Sequence, residues 1–203
     1  PERVYAATID VTSSDADKQL AELIERMGGM DIYFHVSGIG KNNIALNPDL
    51  ELGMVRVNCE GFCRMVGAAY RYFRQNAVKD AQIAVISSIA GTKGLGAAPA
   101  YSATKRMQNC YIQSLAQQCA ITKTDIAFTD IRPGFVATPL LDTQTHHYPM
   151  LMSTPYAARR IVRAILARRR VAVIDWRYAI LVAVWRCIPR WLWERLPIKA
   201  AEK

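Results

Sequence analysis

Ile86-Ser87-Ser88-Ile89-Ala90-Gly91, followed by Tyr101-Ser102-Ala103-Thr104-Lys105, is the stretch around which the rest of the chain is read. An apolar run from Ile83 to Ile86 ends in two serines, a glycine-containing loop follows, and a helix-like segment opens at Tyr101. On a helix, Tyr101 and Lys105 stand at i and i+4 and share a face. A free phenol titrates at about 10, and an ammonium beside it favours the phenolate and lowers that value. Such a pair exchanges a proton with an alcohol or ketone near neutral pH. A serine hydroxyl at the end of the preceding strand is placed to hold the substrate oxygen. Tyr-x-x-x-Lys alone is a weak signal; the order of strand, serines, loop and helix sharpens it.

Working outward, the chain alternates strand and helix patterns. Val4 to Ile9 reads as a buried strand, and Asp10-Val11-Thr12-Ser13-Ser14 as a loop with helix-capping residues. Leu20, Leu23, Ile24 and Met27 form a helical stripe closed by Gly28-Gly29. Asp31 to Val36 is the next strand, turned off by Ser37-Gly38-Ile39-Gly40, and Asp49 to Asn76 is a long helical pattern carrying Asn58. Strands follow at Gln82 to Ile86, Asp125 to Ile131 and Val171 to Ile174, with helices from Tyr101 to Ala120 and from Ser153-Thr154-Pro155 to Ala167. This alternation predicts an α/β fold with a doubly wound parallel sheet.

The 203 residues are enough for one domain with a proper core. A hydrophobic content of 51% with 21% charged residues reads as globular. No run approaches the roughly 20 apolar residues of a spanning helix, and no basic-plus-apolar signal opens the chain. Five cysteines without zinc-like clustering point to a reducing, cytoplasmic setting. Cys59 and Cys63, at i and i+4, read as packing residues and not as a metal pair. The net charge of +9 is uneven: residues 1–154 hold 14 Lys+Arg and 14 Asp+Glu, whereas residues 155–203 hold 12 and 3.

The ordered set of Asp10-Val11, Gly38, Asn58, Ser88, Tyr101, Lys105, Pro133-Gly134 and Thr138 resembles the classical short-chain dehydrogenase/reductase family over nearly the whole chain. Ser88, and not Ser87, matches the family's serine because it lies 13 residues before Tyr101. The resemblance implies that Ser88 orients the carbonyl, Tyr101 passes the proton, and Lys105 tunes Tyr101 and holds the cofactor ribose. Asn58 would keep a water between Lys105 and bulk solvent as a proton relay, against the bland alternative of an ordinary helix asparagine. Asp10 and Val11 would meet the adenine ring, although a helix-capping Asp is nearly as good a reading of Asp10. Gly38 allows close backbone approach to the cofactor. His35-Val36-Ser37-Gly38 replaces the family's usual Asn-Asn-Ala-Gly, which puts the local sheet-to-helix hydrogen bonds in doubt, and His35 reads as a buried structural residue. Pro133, Gly134, Val136 and Thr138 would lie beside the nicotinamide, Thr138 on its carboxamide. Leu140 to Met152 would be the substrate loop, where His146, His147 and Tyr148 are weighed as substrate contacts or exposed side chains.

The function implied is an NAD- or NADP-dependent oxidoreductase interconverting a secondary alcohol and a ketone, as a homodimer or homotetramer through the helices 49–76 and 101–120. The rival is a non-enzymatic dehydrogenase-like scaffold acting through its oligomer or its tail. No glycine-rich turn precedes Val4, and Gly91-Thr92-Lys93-Gly94-Leu95-Gly96 lies in the wrong place for one. The expectation is therefore a Rossmann-like domain, residues 1–175, lacking its first two strands and their helices, about 40 to 50 residues. Such a chain is expected to be inactive as given. Its first strand would lack a neighbour to pair with. NAD and NADP are not distinguished, because the ribose-reading residues follow the second strand of the family's sheet.

Residues 176–203 form a basic tail holding all four tryptophans, Trp176, Trp185, Trp191 and Trp193. It reads as packing over the domain or a sister subunit, or as a peripheral contact with the inner face of an anionic membrane. No nucleic-acid recognition motif accompanies the basic charge, so no nucleic acid partner is expected.

Overall fold

The structure is a computed structural model that describes residues 4–141 and 147–198. Four parallel strands make the sheet: β1 (Ile32–His35), β2 (Ala81–Ile86), β3 (Ile126–Arg132) and β4 (Val171–Val173), hydrogen-bonded in that order. The register pairs His35 with Val85, Val85 with Asp130, and Asp130 with Val171. The carboxyl ends of β1, β2 and β3 therefore line up, and that rim is where an α/β sheet binds ligands.

Helices cover both faces. Between β1 and β2 run α2 (Pro48–Val55), a π-helical stretch (Arg56–Gly61) and α3 (Phe62–Gln75) without interruption, and α4 (Pro99–Thr122) joins β2 to β3. Period-2 alternation divides the strand residues between two cores. Ile83, Val85, Ile126 and Phe128 meet Phe62, Val66 and Phe73 of α3 and Ile112 of α4 on one face. Ala84, Ile131 and Ala172 meet α5 (Thr154–Leu166) and α6 (Trp176–Cys187) on the other. β2 is buried on both sides, which is why its sequence is an almost unbroken apolar run. α1 (Ala16–Met27) packs Leu20 and Ile24 on Met65, and ends where Gly28 takes a left-handed φ of 82°.

The strand expected at Val4–Ile9 does not form. Its backbone makes no ladder, and Val4 is 88% exposed. A strand is defined by its neighbour, and among the described residues no strand pairs with the outer edge of β1 either. The other expected strands, and the helices expected at 49–76, 101–120 and 153–167, form within two residues of the bounds read from the sequence. The basic tail is ordered as α6 and a short α7 (Arg190–Trp193), with Tyr178, Val182 and Trp193 buried against the domain.

Tyr178 shows how tightly α6 is fitted. Its hydroxyl donates to the Pro149 carbonyl at 2.9 Å and accepts from the Phe135 amide at 3.1 Å. A β-carbon added to Gly134 would lie 2.2 Å from its ring. The ring is 1% exposed and anchored at its far end, so it cannot yield. Gly134→Ala is expected to lower unfolding stability by about 1–3 kcal/mol or more, read by urea denaturation; a change under about 0.5 kcal/mol would contradict this packing.

Candidate active site

The sequence stretch that opens the reading folds as a strand end, a tight turn and a helix start. Ser88 lies two residues past the end of β2 with an extended backbone, and its hydroxyl accepts from the Ala90 amide at 3.1 Å, capping the 3-10 turn Ile89–Thr92. Ser87 points elsewhere: its hydroxyl is spent on Asp130, a buried carboxylate that also bridges Asn109 and Arg132. Tyr101 lies in the first turn of α4, opened by Pro99. Burial holds the Tyr101 phenol above the usual tyrosine value, with the Ser88 hydroxyl nearby acting in the opposite direction.

That direction corrects the expectation that Lys105 lowers the phenol's pKa. The Lys105 ammonium stands over the Tyr101 ring, 5.9 Å from its centre, and its bonds go elsewhere. Nζ donates to the Ile86 carbonyl at 3.2 Å and to Gln108 Oε1 at 3.1 Å. Lys105 is 4% exposed, and burial pulls its pKa down to about 8 against the opposing attraction of Asp130.

Asn58 is fully buried in the π-helical stretch. Its side-chain amide closes a ring on the backbone of Ile39, accepting from the amide at 2.9 Å and donating to the carbonyl at 2.7 Å, and it donates to Thr104 at 3.1 Å. These bonds tie the loop after β1 to α4, the link that the exchange of asparagines for His35 and Val36 had put in doubt. The Phe62 amide reaches back to Val57 and Cys59, which relieves the Asn58 carbonyl of the partner it would have in an α-helix. Gln108 Nε2 takes that carbonyl at 2.9 Å. Gln108 thus bridges Asn58 and Lys105 directly, on the path that the family resemblance gives to a water. Sequence reasoning missed this residue, although its place three residues after Lys105 puts it on the same helical face.

The remaining residues divide into two groups. Gly38 sits against the cluster, since a β-carbon there would meet Asn58 Oδ1 at 3.3 Å and Lys105 Nζ at 3.4 Å. Gly40 lies on the Tyr101 ring, where a β-carbon would come within 2.6 Å. The Pro133 carbonyl accepts from the Ile89 amide at 3.1 Å, and Gly134, Val136 and Thr138 continue from that rim, Val136 bridging to Met152. Asp10 and Val11 stand apart from Ser88, Tyr101 and Lys105. The Asp10 carboxylate is engaged by the Thr12 amide at 2.9 Å and hydroxyl at 2.8 Å, which hold its pKa down; this is a local turn and not a helix cap, since α1 begins at Ala16 with Asp15 as its N-cap. Val11 packs on Gly61 at the end of the π-helical stretch.

His35 is buried with Nδ1 3.1 Å from the Tyr33 hydroxyl, and burial, with Lys105 nearby, lowers its pKa to about 4. His147 is exposed and Tyr148 stacks on Phe135 at 4.9 Å, while His146 lies outside the described residues.

Lys105 provides a test through stability. Its folded pKa of about 8 lies below its unfolded value, so the unfolded chain binds the extra proton between the two. Stability contributed by Lys105 is therefore lowest below pH 8 and rises with pH through that window, by about 3 kcal/mol in full. Denaturation of wild type against Lys105→Met is expected to show a rise from about pH 8 to 10 that the variant lacks; parallel curves would contradict the buried, destabilised ammonium.

Known proteins resemble this chain in sequence and in fold. The family model described as short chain dehydrogenase matches residues 1–149. An uncharacterised oxidoreductase of Myxococcus xanthus is 26% identical over 194 residues, covering 94% of this chain and 75% of that protein. Another from Listeria monocytogenes is 34% identical over 147 residues, covering 71% and 58%. The crystal structure of a short chain dehydrogenase from Burkholderia cenocepacia in complex with NADP shares the fold, with a TM-score of 0.77 at 16% identity over 94% of this chain and 77% of that one. With the family match covering well over half its length, and Ser88, Tyr101, Lys105 and Asn58 gathered at one rim of a parallel sheet, the chain belongs to the short-chain dehydrogenase family.

Proposed function

We propose that this protein is an NAD- or NADP-dependent oxidoreductase that interconverts a small-molecule secondary alcohol and its ketone. The observation that carries the reading is the convergence of Ser88, Tyr101 and Lys105 beside Gly38 at the carboxyl rim of the sheet. The solved structure of the Burkholderia relative holds NADP, in keeping with that cofactor class. The residues present fit the nicotinamide end of such a cofactor. Gly38 has no side chain to obstruct its approach, and the inner side of that glycine is already filled by Asn58 and Lys105. Lys105 would hold the ribose, Pro133, Gly134, Val136 and Thr138 the nicotinamide, and Asp10 and Val11 the adenine. When bound, the cofactor supplies or accepts the hydride at the substrate carbon.

The rest is the work of the chain's own groups. The Ser88 hydroxyl donates to the substrate oxygen and fixes its position. The Tyr101 hydroxyl donates its proton to that oxygen in reduction and takes it back in oxidation. A phenol held protonated by burial is suited to the donating direction. Gln108 and Asn58 hold Lys105 in place. The face of α2–α3 and that of α4 are proposed to carry a homodimer or homotetramer.

Titration of the chain expressed from its native gene with NADH and NADPH, read through tryptophan emission, tests cofactor binding. Tyr101→Phe is expected to lower kcat by about 10²–10⁴-fold while the titration is unchanged. No binding of either cofactor would favour the non-enzymatic scaffold, and equal turnover in the variant would refute the role of Tyr101.

A further inference from the structure

Helix α6 reads Trp-Arg-Tyr-Ala-Ile-Leu-Val-Ala-Val-Trp-Arg-Cys, and Arg177 and Arg186 are its only charged residues. A helix that is apolar all round belongs between two apolar surroundings. The domain supplies one of them, burying Tyr178 and Val182 and half-burying Leu181 and Trp185. The opposite face carries Trp176, Ala179, Ile180, Ala183, Val184 and Cys187, and every one of them is exposed. Trp176 is 68%, Ile180 57% and Val184 54% exposed. Their spacing of three and four makes one continuous stripe, about 18 Å long. Two residues past its end α7 begins, with Trp191 60% exposed.

The charge around this stripe is mostly positive. Residues 176–198 carry Arg177, Arg186, Arg190 and Arg195, with Glu194 as their acidic residue. Arg177 is paired to Asp175 and Arg190 to Glu194, whereas Arg186 is exposed and Arg195 lies over the Trp191 ring at 5.7 Å. An antiparallel two-fold contact through this stripe would bring the like-charged arginines of its two ends together. An anionic bilayer surface complements them instead.

We infer that the exposed face of α6 lies on an anionic membrane surface, with the helix in the plane of the headgroups. The aliphatic stripe enters the acyl boundary, Trp176 and Trp191 sit at headgroup depth, and the arginines meet lipid phosphates. Among the described residues no helix is long and apolar enough to cross a membrane, so the contact made by α6 is peripheral. This inference does not depend on the proposed reaction.

Co-sedimentation of the full chain with vesicles of phosphatidylcholine, with and without phosphatidylglycerol, tests it. Binding to the anionic vesicles is expected, falling as salt rises, together with a blue shift of tryptophan emission. Ile180→Asp with Val184→Asp is expected to weaken that binding by at least about tenfold with an unchanged circular dichroism spectrum. Should the aspartates unfold the helix, Arg186→Glu serves in their place and is also expected to weaken it. Absence of binding to anionic vesicles, or equal binding by these variants, would overturn the inference. So would a dimer in sedimentation velocity that Ile180→Asp dissociates, since a second copy would then cover the face.

Discussion

A lysine ammonium taken out of water has to be given acceptors, and the active-site side of this fold is arranged around that need. Lys105 is held by the Ile86 carbonyl at the end of β2 and by the side chain of Gln108, one helical turn along α4. Gln108 can present its oxygen to Lys105 only because its nitrogen is satisfied by the Asn58 carbonyl. That carbonyl is open because the helix carrying it widens to a π-helical stretch. A costly buried charge is thus stabilised by a chain of neutral amides, each bonded at both its oxygen and its nitrogen, in surroundings where an unpaired polar group would be expensive.

The same network sets the geometry of the rim. Asn58 clamps the loop after β1 through Ile39, and this brings Gly38 against Lys105 and Gly40 against the Tyr101 ring. Ser88 is fixed independently by the turn that it caps. Tyr101 and Lys105 therefore come from α4 and Ser88 from the turn after β2, while the loop of Gly38 and Gly40 follows β1; parallel pairing of β1 and β2 brings these elements to one rim. Burial governs the electrostatics here: it raises the phenol of Tyr101 and lowers the ammonium of Lys105, so both are biased toward their neutral forms.

Much of this was legible in the sequence, for identifiable reasons. β2 announces itself as an almost unbroken apolar run because it is buried on both faces, and Ser88, Tyr101 and Lys105 stand at spacings that a strand end and a helix turn make meaningful. The Val4–Ile9 segment has the same apolar look but no ladder, because strand formation depends on a neighbour that one segment cannot reveal. The π-helical stretch was also illegible, since nothing in Arg56–Gly61 distinguishes an i to i+5 bond from an α-helical one. Gln108 was missed because its role lies in two contacts, one of them with a carbonyl fifty residues away. The tail's composition showed its basicity and aromatic content, but which side of α6 would be covered depended on Gly134 leaving room for Tyr178.

The central claim is that Lys105 is a buried cation held by the Gln108 bridge. The most direct measurement is an NMR titration of its side chain, following the carbon and nitrogen resonances next to the ammonium. The account predicts a midpoint of about 8. A midpoint at the ordinary lysine value of about 10.4 would mean an ammonium in contact with solvent, and would contradict the arrangement described.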